Sequence, residues 1–429
     1  MTITTSQRFV AEPSPSAQSL RAIDAVNFFV AAVLAGFGPF VAVVLGNQGW
    51  SQEEIGFVLS IGAAAGLLAQ LPGGELLDVV RSKRFLVALG IVLIGLGALV
   101  IALRPQFVPV SAALALQGIT GGFLGPAITS ISLGLVGQDL LASRLGRNQS
   151  FKSAGSLAAA GILGVAGYFL STRAMFFATA LLVLPALAAL ARIDAGEVHF
   201  GRSVGAPDQH HASKPARARR WNCCKNRDLL VFAACLFLFQ MADSSMLPLV
   251  GATLAKTEGN RSSLVISALV IVPQILVALM APWAGRWAQD WGRRPLLLIG
   301  FGVLPVRALL FTLIADPSLL AAVQILDGIS GAVLGVLQAL IVADLTNGTG
   351  RFNLAQGFVG VTSGIGASAS TALFGLVAQS LGQAVAFLGM ALTGLAAVVI
   401  AWLFMPETRP PTLRKRVPAV FSTAAVGNR

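Results

Sequence analysis

The chain of 429 residues contains 11% charged and 55% hydrophobic residues, whereas about 25% of the residues of a typical soluble protein are charged. Its formal net charge is +12, and it contains three cysteines. This balance excludes an ordinary soluble protein and a disulfide framework, and it predicts a membrane protein.

Twelve long apolar runs follow one another along the chain. Residues 85–103 include no charge, and about 20 helical residues cross a hydrocarbon core of about 30 Å. The runs begin near Ala22, Ile55, Phe85, Phe107, Ser153, Ala174, Leu229, Leu264, Leu296, Leu319, Leu354 and Gln383. Open sheet edges cannot be hydrogen bonded in lipid, so the sequence predicts an all-α membrane protein with twelve transmembrane helices and no strand.

The basic residues are distributed unevenly between the two sides of the predicted membrane. If the N-terminus is cytoplasmic, 25 lysines and arginines lie on the cytoplasmic side and four lie outside, namely Arg104, Arg173, Lys256 and Arg261. Basic loops are retained in the cytoplasm, so this asymmetry predicts a bacterial inner membrane protein with both termini cytoplasmic. It also explains the net charge without a nucleic-acid partner.

The chain divides around residues 193–228, its longest interior segment that is not apolar. The predicted organisation is a cytoplasmic tail at 1–21, a six-helix bundle at 22–192, a cytoplasmic linker at 193–228, a second six-helix bundle at 229–405 and a cytoplasmic tail at 406–429. A repeat supports this division. Pro72, Gly74, Asp78, Lys83 and Arg84 are echoed by Pro282, Gly285, Asp290, Arg293 and Arg294.

Cysteines and histidines favour neither a metal site nor a redox site. Cys223, Cys224, His199, His210 and His211 all fall in the predicted linker, where no rigid element would hold a ligand set. No phosphate-binding GxxxxGK[ST] loop occurs. The sequence therefore predicts no enzyme, no metal and no cofactor, and it favours transport driven by an ion gradient.

At the repeated residues the chain resembles the major facilitator superfamily, whose signature G-x-x-x-D-R-x-G-R-R lies between helices 2 and 3 and again between helices 8 and 9. The first copy has Gly74, Asp78, Lys83 and Arg84, and departs from the signature at Val79 and Arg81. The second copy has Gly285, Asp290, Gly292, Arg293 and Arg294, with one extra residue after the first glycine. The resemblance covers all twelve runs, and the sequence PETR at 406–409 adds a weaker likeness.

The resemblance implies two pseudo-symmetric six-helix bundles that rock about a central site, in a monomer embedded in the lipid bilayer. It also implies that the repeated loops form a cytoplasmic gate. Gly74 would allow two helices to approach closely, and Asp78 and Asp290 would each meet a helix N-terminus or an arginine of a neighbouring helix.

Three charged residues lie deep in the predicted membrane, where charge costs ~2.5 to 3.5 kcal/mol or more. They are Asp243, Arg307 and Asp327. Arg307 could hold Asp327 in a structural pair, or Asp327 could bind and release a coupling proton while Arg307 tunes it. Helices 1, 4, 7 and 10 line the cavity in the superfamily, so the resemblance adds Asn27, Gln117, Gln240 and Gln324 to the candidate site. Asp24 lies so near the inner boundary that solvation or helix capping is an alternative to a site role, and Lys152 is expected to snorkel to the boundary.

The function that these features favour is alternating-access export of a small organic or amphiphilic compound, coupled to protons. Proton-coupled uptake of an organic solute and a transporter-like sensor without net flux are the alternatives. Two features of drug and proton antiporters are absent, because Leu114 replaces the arginine before Gln117 and Gly118, and helix 5 contains no proline. The expected partners are a small-molecule substrate and protons.

Overall fold

The computed structural model describes residues 15–37, 39–206, 226–257, 262–314 and 316–410. Most of both predicted tails lies outside these residues, as do His210, His211, Cys223 and Cys224 of the predicted linker. Within them there are fifteen helices and no strand. They are α1 (Ala17–Ala35), α2 (Pro39–Asn47), α3 (Gln52–Val79), α4 (Lys83–Leu103), α5 (Phe107–Phe169), α6 (Thr172–Leu181), α7 (Val183–Ala191), α8 (Phe200–Ser203), α9 (Arg227–Asp243), α10 (Met246–Thr257), α11 (Ser262–Asp290), α12 (Arg293–Leu313), α13 (Pro317–Thr346), α14 (Phe352–Ser380) and α15 (Gln383–Phe404).

Eleven helical segments of the described chain are long and apolar enough to cross a membrane. One of them, Phe107–Gly167, has 61 residues, or about 90 Å of helix, which far exceeds the thickness of a bilayer. α5 changes direction at Gly137, where φ is 68°. As a result Asn148 Nδ2 lies 2.8 Å from Ser132 Oγ, although 16 residues separate them. α5 therefore supplies two crossings, and the predicted all-α membrane fold is confirmed.

Two of the predicted helices are each divided by a break. α2 begins at Pro39, and α10 begins at Met246 with Pro248 in its first turn. Proline has no backbone N–H to continue a helix and favours the first turn of a new one. The breaks fall in the first crossing of each predicted bundle. α5, in contrast, continues as a helix through Pro126.

Serine side chains begin several helices. Ser51 and Glu54 form a reciprocal capping box at the start of α3, which satisfies two backbone N–H groups. Ser16 caps α1 and donates through its hydroxyl to Glu197 at 3.0 Å. Hydrogen bonds from Ser19 and Ser16 hold the pKa of the Glu197 carboxyl below its usual value. The segment after α7 is therefore tied to the start of α1.

The buried apolar side chains form two clusters. One contains residues of α1 to α7, and the other contains residues of α9 to α15 together with Leu133, Leu141, Ala142 and Leu145 of α5. The two clusters meet at the bend of α5. We refer to residues 15–192 as the first half and to residues 226–410 as the second half.

Both described ends of the chain lie on one face of the helix bundle. Ser16 precedes α1 and contacts the segment after α7, while Glu407 follows α15 and accepts a hydrogen bond from the backbone of Arg293 at 2.8 Å. Gln138, just after the bend of α5, donates to Asp344 at the end of α13 at 3.2 Å. We call this side of the molecule the terminal face.

Part of the predicted linker, at Ser203 and Val204, is packed against the terminal face. Ser203 ends the short helix α8, and its carbonyl oxygen accepts a 2.6 Å hydrogen bond from Ser130 Oγ of the first half. The carbonyl oxygen of Val204 accepts a 3.2 Å bond from the backbone N–H of Phe352 in the second half. Ser203 and Val204 are buried. The linker thus touches both halves where they meet.

Candidate functional site

Asp78 of the predicted gate lies at the end of α3 and contacts the beginning of α14. Its carboxylate accepts hydrogen bonds from the backbone N–H groups of Asn353 at 3.1 Å and Leu354 at 3.0 Å, and from the Asn353 side-chain amide at 2.9 Å. The first N–H groups of a helix lack partners within the helix and form the positive end of its dipole. A buried carboxylate of the first half therefore caps a helix of the second half.

Two more residues of α3 continue this contact on the same helix face. Gly74 lies four residues before Asp78, and a Cβ atom built on it would lie 2.4 Å from the carbonyl oxygen of Asn353. One turn earlier, a Cβ atom on Gly357 of α14 would lie 2.3 Å from the carbonyl oxygen of Gln70. Only glycine fits such distances, so α3 and α14 are in backbone contact over two turns.

The second copy of the motif is arranged differently. A Cβ atom on Gly285 would lie 2.4 Å from the carbonyl oxygen of Ala142, so α11 packs against α5 as closely as α3 packs against α14. Four residues later, Gln289 Nε2 donates to the carbonyl oxygen of Asp139 at 3.0 Å. Asp290 is exposed. Each residue turns a helix by about 100°, so the extra residue of this copy carries the acid away from the interface.

The basic residues that follow each motif close the preceding helix. Lys83 is buried and donates to carbonyl oxygens at the end of α3, including that of Val80 at 3.2 Å. Arg293 is equally buried and donates to the carbonyl oxygen of Ala288 at 2.7 Å. Arg293 Nε also pairs with Asp344 at 3.0 Å. The second copy therefore contains an ion pair that the first copy replaces with carbonyl contacts.

The sequence PETR fixes the start of α12. Glu407 accepts hydrogen bonds from the backbone N–H groups of Arg293 at 2.8 Å and Arg294 at 3.1 Å. Gly292 has φ 102°, and a Cβ atom there would lie 2.5 Å from Glu407 Oε2. In the first copy, Arg84 donates to a carbonyl oxygen at the end of α7 at 3.2 Å. These gate residues anchor helix ends and do not cross between the halves.

A cavity of about 400 Å³ lies between the two halves, within the size range of small-molecule sites. It begins where the α3–α14 contact ends, since Gln70 and Gly357 belong to both. α1, α3, both arms of α5, α13 and α14 line it. Its polar side chains are Asn27, Gln70, Thr129, Asn148, Gln149, Lys152, Gln338 and Gln356. The cavity is thus closed on the terminal face by the gate contacts.

Lys152 is the one charged residue among the described residues that line this cavity. It was expected at the membrane boundary because the apolar run begins at Ser153, but the second arm of α5 begins directly after Gly137. Lys152 therefore lies 15 residues, or about 22 Å, along that arm. The boundary interpretation does not fit this position, because the side chain is exposed to the cavity.

Asp243, Arg307 and Asp327 form one cluster in the second half. Arg307 Nη1 donates to Asp243 Oδ1 at 2.9 Å and also to Asp327 Oδ1. The arginine is buried, while the side chains of Asp243 and Asp327 are 26% and 32% exposed. Asp327 and Gln338 lie 11 residues apart on α13, so they share a helix face about 17 Å apart. The cluster is therefore separate from the cavity and further from the terminal face.

The other candidate residues are divided between these environments. Asn27 lines the cavity, and its amide donates to the preceding turn of α1 at 2.8 Å. Gln324 is buried and donates to the carbonyl oxygen of Leu269 at 3.0 Å, which joins α13 to α11. Gln117 and Gln240 are half-buried and lie outside the cavity lining. Of these four candidates, Asn27 alone lines the cavity.

Sequence reasoning missed two groups of residues. Asp24 was predicted near the inner boundary, with solvation, helix capping or a site role left open. It is buried and pairs with Arg144 and with Arg147 at 2.7 Å. The neutral amides of the cavity carry no charge and belong to no motif. Their signal was the presence of glutamine within otherwise apolar helices, as at Gln338 and Gln356.

Comparison with known proteins agrees with this architecture. The sequence model described as Major Facilitator Superfamily matches residues 23–257 and 232–424. An uncharacterized MFS-type transporter of Mycobacterium tuberculosis strain H37Rv is 36% identical over 400 residues, which cover 92% of this chain and 95% of that protein. The chain belongs to the major facilitator superfamily. It is a multi-pass membrane transporter and not an enzyme, as the motif copies indicated.

Two further likenesses are more distant. The class E tetracycline resistance protein of Escherichia coli is 29% identical over 181 residues, which cover 41% of this chain and 43% of that protein. Among solved structures, the MFS transporter FucP in the outward conformation has a TM-score of 0.67 at 14% identity, over 90% of this chain and 98% of that chain. FucP is a fucose:proton symporter of Escherichia coli. This likeness supports the fold.

Proposed function

We propose that this MFS transporter exports a small organic or amphiphilic compound in exchange for protons by alternating access. The terminal face is then cytoplasmic, as the basic asymmetry predicts, and the structure is the state closed toward the cytoplasm. The observation that carries this proposal is the polar cavity between the halves. Among the described residues, the gate contacts close this cavity on the terminal face alone.

Opening of the terminal face requires the two halves to separate, and two of the contacts that must break belong to the gate. Asp78 must leave the N-terminus of α14, and α11 must leave α5 at Gly285. Gln70 lies two turns above Asp78 on the same face of α3 and lines the cavity. Binding at Gln70 therefore acts on the same helix pair that forms the gate, which links occupancy to the conformational equilibrium.

Coupling to protons is assigned to the Asp243–Arg307–Asp327 cluster. Two carboxylates share one guanidinium nitrogen, so the fully ionised cluster has two negative charges and one positive charge. Binding of one proton makes the cluster neutral, and Asp327 is the more exposed of the two acids. A partly exposed acid beside a fixed arginine can exchange a proton when the two halves move.

Export is favoured over uptake by the distant likeness to a tetracycline resistance protein. Uptake by symport is the second candidate, since a fucose:proton symporter shares the fold. The two directions differ in a measurable way, because antiport and symport move substrate oppositely under one pH gradient. A sensor would bind a ligand and move none.

The test uses the purified protein in liposomes with the terminal face outward and an acidic interior. Uptake of radiolabelled tetracycline and of labelled organic acids and amines is measured. Antiport accumulates substrate inside these vesicles, whereas symport drives it out. Asp327→Asn should abolish gradient-driven movement and leave counterflow largely intact, because an amide keeps the shape but cannot titrate. Glu53→Gln, an exposed acid at the start of α3, is the matched control.

A purely structural cluster gives a different result. Arg307→Gln would then destabilise the protein by leaving Asp243 and Asp327 without their shared cation, and the triple variant with Asp243→Asn and Asp327→Asn would recover stability. In the coupling role, Arg307→Gln shifts the pH dependence of transport without removing it. A stable Asp327→Asn with undiminished gradient-driven flux would transfer the coupling role to Asp243.

A further inference from the structure

The charge of Lys152 is not balanced within the cavity. Every other polar side chain that lines it is a neutral amide or hydroxyl. No carboxylate of the described residues lies within 4.0 Å of the Lys152 amine, whereas Arg144 and Arg147, on the same arm of α5, both pair with Asp24. The cavity therefore presents one positive charge to whatever enters it.

Several amides around Lys152 have free hydrogen-bonding capacity. Gln356 Nε2 and Gln70 Oε1 are buried atoms without a partner among the described residues. Asn148, in contrast, is occupied at both ends, because it accepts from Arg144 and donates to Ser132 at 2.8 Å each. Unsatisfied buried polar atoms are rare in folded proteins and call for an occupant. Here a donor, Gln356 Nε2, and the ammonium of Lys152 face the same space.

We propose that this cavity binds a small organic anion, with the carboxylate of the ligand paired to Lys152. Gln356 donates a hydrogen bond to the same anionic group, and Gln149, one turn from Lys152 on α5, lies in reach of it. The apolar body of the ligand lies along Val30 and Leu34 of α1, which also line the cavity. The role of this site in transport rests on the proposed function; the binding chemistry does not.

The unpaired ammonium also explains why the ligand and closure would be linked. To occlude the cavity, the outer ends of the halves must close over it and remove water from Lys152. Burial of a lone charge is costly, whereas an ammonium paired with a carboxylate and hydrogen bonded on its other side is tolerated. Occupation by an anion therefore favours the occluded state over the open state. A cavity that is empty or that holds a neutral ligand stays open.

The experiment uses two probes of equal shape, 2-naphthoate and its uncharged amide 2-naphthamide, and full-length protein in lipid nanodiscs without a gradient. Binding is measured by calorimetry at low chloride concentration. Wild-type protein should bind the carboxylate about tenfold or more tighter than the amide, since charge-assisted hydrogen bonds exceed neutral ones. Lys152→Met should remove this preference, and Lys152→Arg should keep it. Arg81→Gln removes an exposed positive charge of the terminal face and should change neither affinity.

Two results overturn the proposal. One is equal or tighter binding of the amide by the wild-type protein, and the other is an unchanged preference in a folded Lys152→Met variant. Failure of both probes to bind at millimolar concentration also counts against it. The flux assay separates this proposal from the proposed function. If the carboxylate is preferred but no flux occurs in either direction, the anion site is supported and the proposed transport is contradicted. If gradient-driven flux does not depend on Lys152, transport is supported and the anion site is contradicted.

A second pair of variants tests whether the ligand occupies this cavity. Gly121 lines it, and a Cβ atom there would meet only Gln117 Nε2 at 4.0 Å. A Cβ atom on Gly161 would meet nothing within 4 Å, and this residue lies outside the cavity lining. Gly121→Leu should therefore weaken 2-naphthoate binding about tenfold or more by filling the space, while Gly161→Leu should not. Equal affinities in the two variants would place the carboxylate site elsewhere.

Discussion

The two copies of the gate motif have nearly the same sequence and make different contacts. In the first copy, Asp78 lies four residues after Gly74 and caps α14 across the interface. In the second copy, Asp290 lies five residues after Gly285 and is exposed, while Gln289 takes the interface position. One inserted residue rotates a helix by about 100°, so a conserved order of residue types does not ensure equivalent contacts.

The difference shows that the gate is electrostatically asymmetric. The α3–α14 side is held by a buried carboxylate on backbone N–H groups. The α5–α11 side is held by close backbone packing and by two neutral hydrogen bonds, from Gln289 to Asp139 and from Ser150 to Ala278. The second half places its buried charge instead in the Arg293–Asp344 pair, to which Gln138 of the first half also donates. Substitutions in the two copies should therefore affect different properties of the protein.

The largest expected effect is on stability in the second copy. Arg293→Gln leaves Asp344 buried without its cation, which costs ~3 to 5 kcal/mol. Lys83→Gln, at the matching position, leaves no carboxylate without its ion-pair partner and should cost less. The measurement is thermal unfolding of each variant in detergent. The double variant Arg293→Gln with Asp344→Asn should recover much of the loss, and strictly additive losses would mean that the pair does not interact.

The next largest effect is on conformation in the first copy. Asp78→Asn removes the charge from the α14 N-terminus and leaves buried N–H groups less well satisfied, at ~1 to 3 kcal/mol in the state closed on the terminal face. The distribution should shift toward the state open on that face. Spin labels at Arg81→Cys and Asn347→Cys, in a background without native cysteines, report the separation between the end of α3 and the loop that joins α13 to α14. An unchanged distance distribution would mean that Asp78 anchors a helix end and does not affect the conformational equilibrium.

Sequence reasoning reached the fold and several contacts for identifiable reasons. Apolar run length and the motif copies determined the crossings, and charge deep in the predicted membrane singled out Asp243, Arg307 and Asp327, which the structure brings together. It failed where contacts depend on helix rotation or on exact helix ends. The predicted contact of Asp290 rested on its residue type and did not take into account the helix rotation that the extra residue causes. Lys152 was placed at the boundary because the amphipathic start of the second arm of α5 interrupts the apolar pattern.

A smaller effect is expected at Gln289. Gln289→Ala removes the one hydrogen bond from Gln289 to the carbonyl oxygen of Asp139, and a neutral bond at a partly exposed site contributes ~0.5 to 1.5 kcal/mol. The same shift toward opening of the terminal face should appear, but smaller than for Asp78→Asn. The spin-label pair at Arg81 and Asn347 measures both variants in one background. A shift as large as that of Asp78→Asn would contradict the asymmetry of the gate.

The smallest effect is expected at Asp290, although the motif gives it the same status as Asp78. Its side chain is exposed, and its backbone carbonyl oxygen, which accepts a 3.1 Å hydrogen bond from Arg409, is kept in any side-chain variant. Surface substitutions away from special features change stability by about 0.5 kcal/mol or less. Asp290→Asn should therefore leave thermal stability, label distances and transport close to wild type, while Asp78→Asn changes the distances. If Asp290→Asn shifts the distances as strongly, the acid reaches the interface in another state of the cycle, and the two copies act alternately instead of unequally.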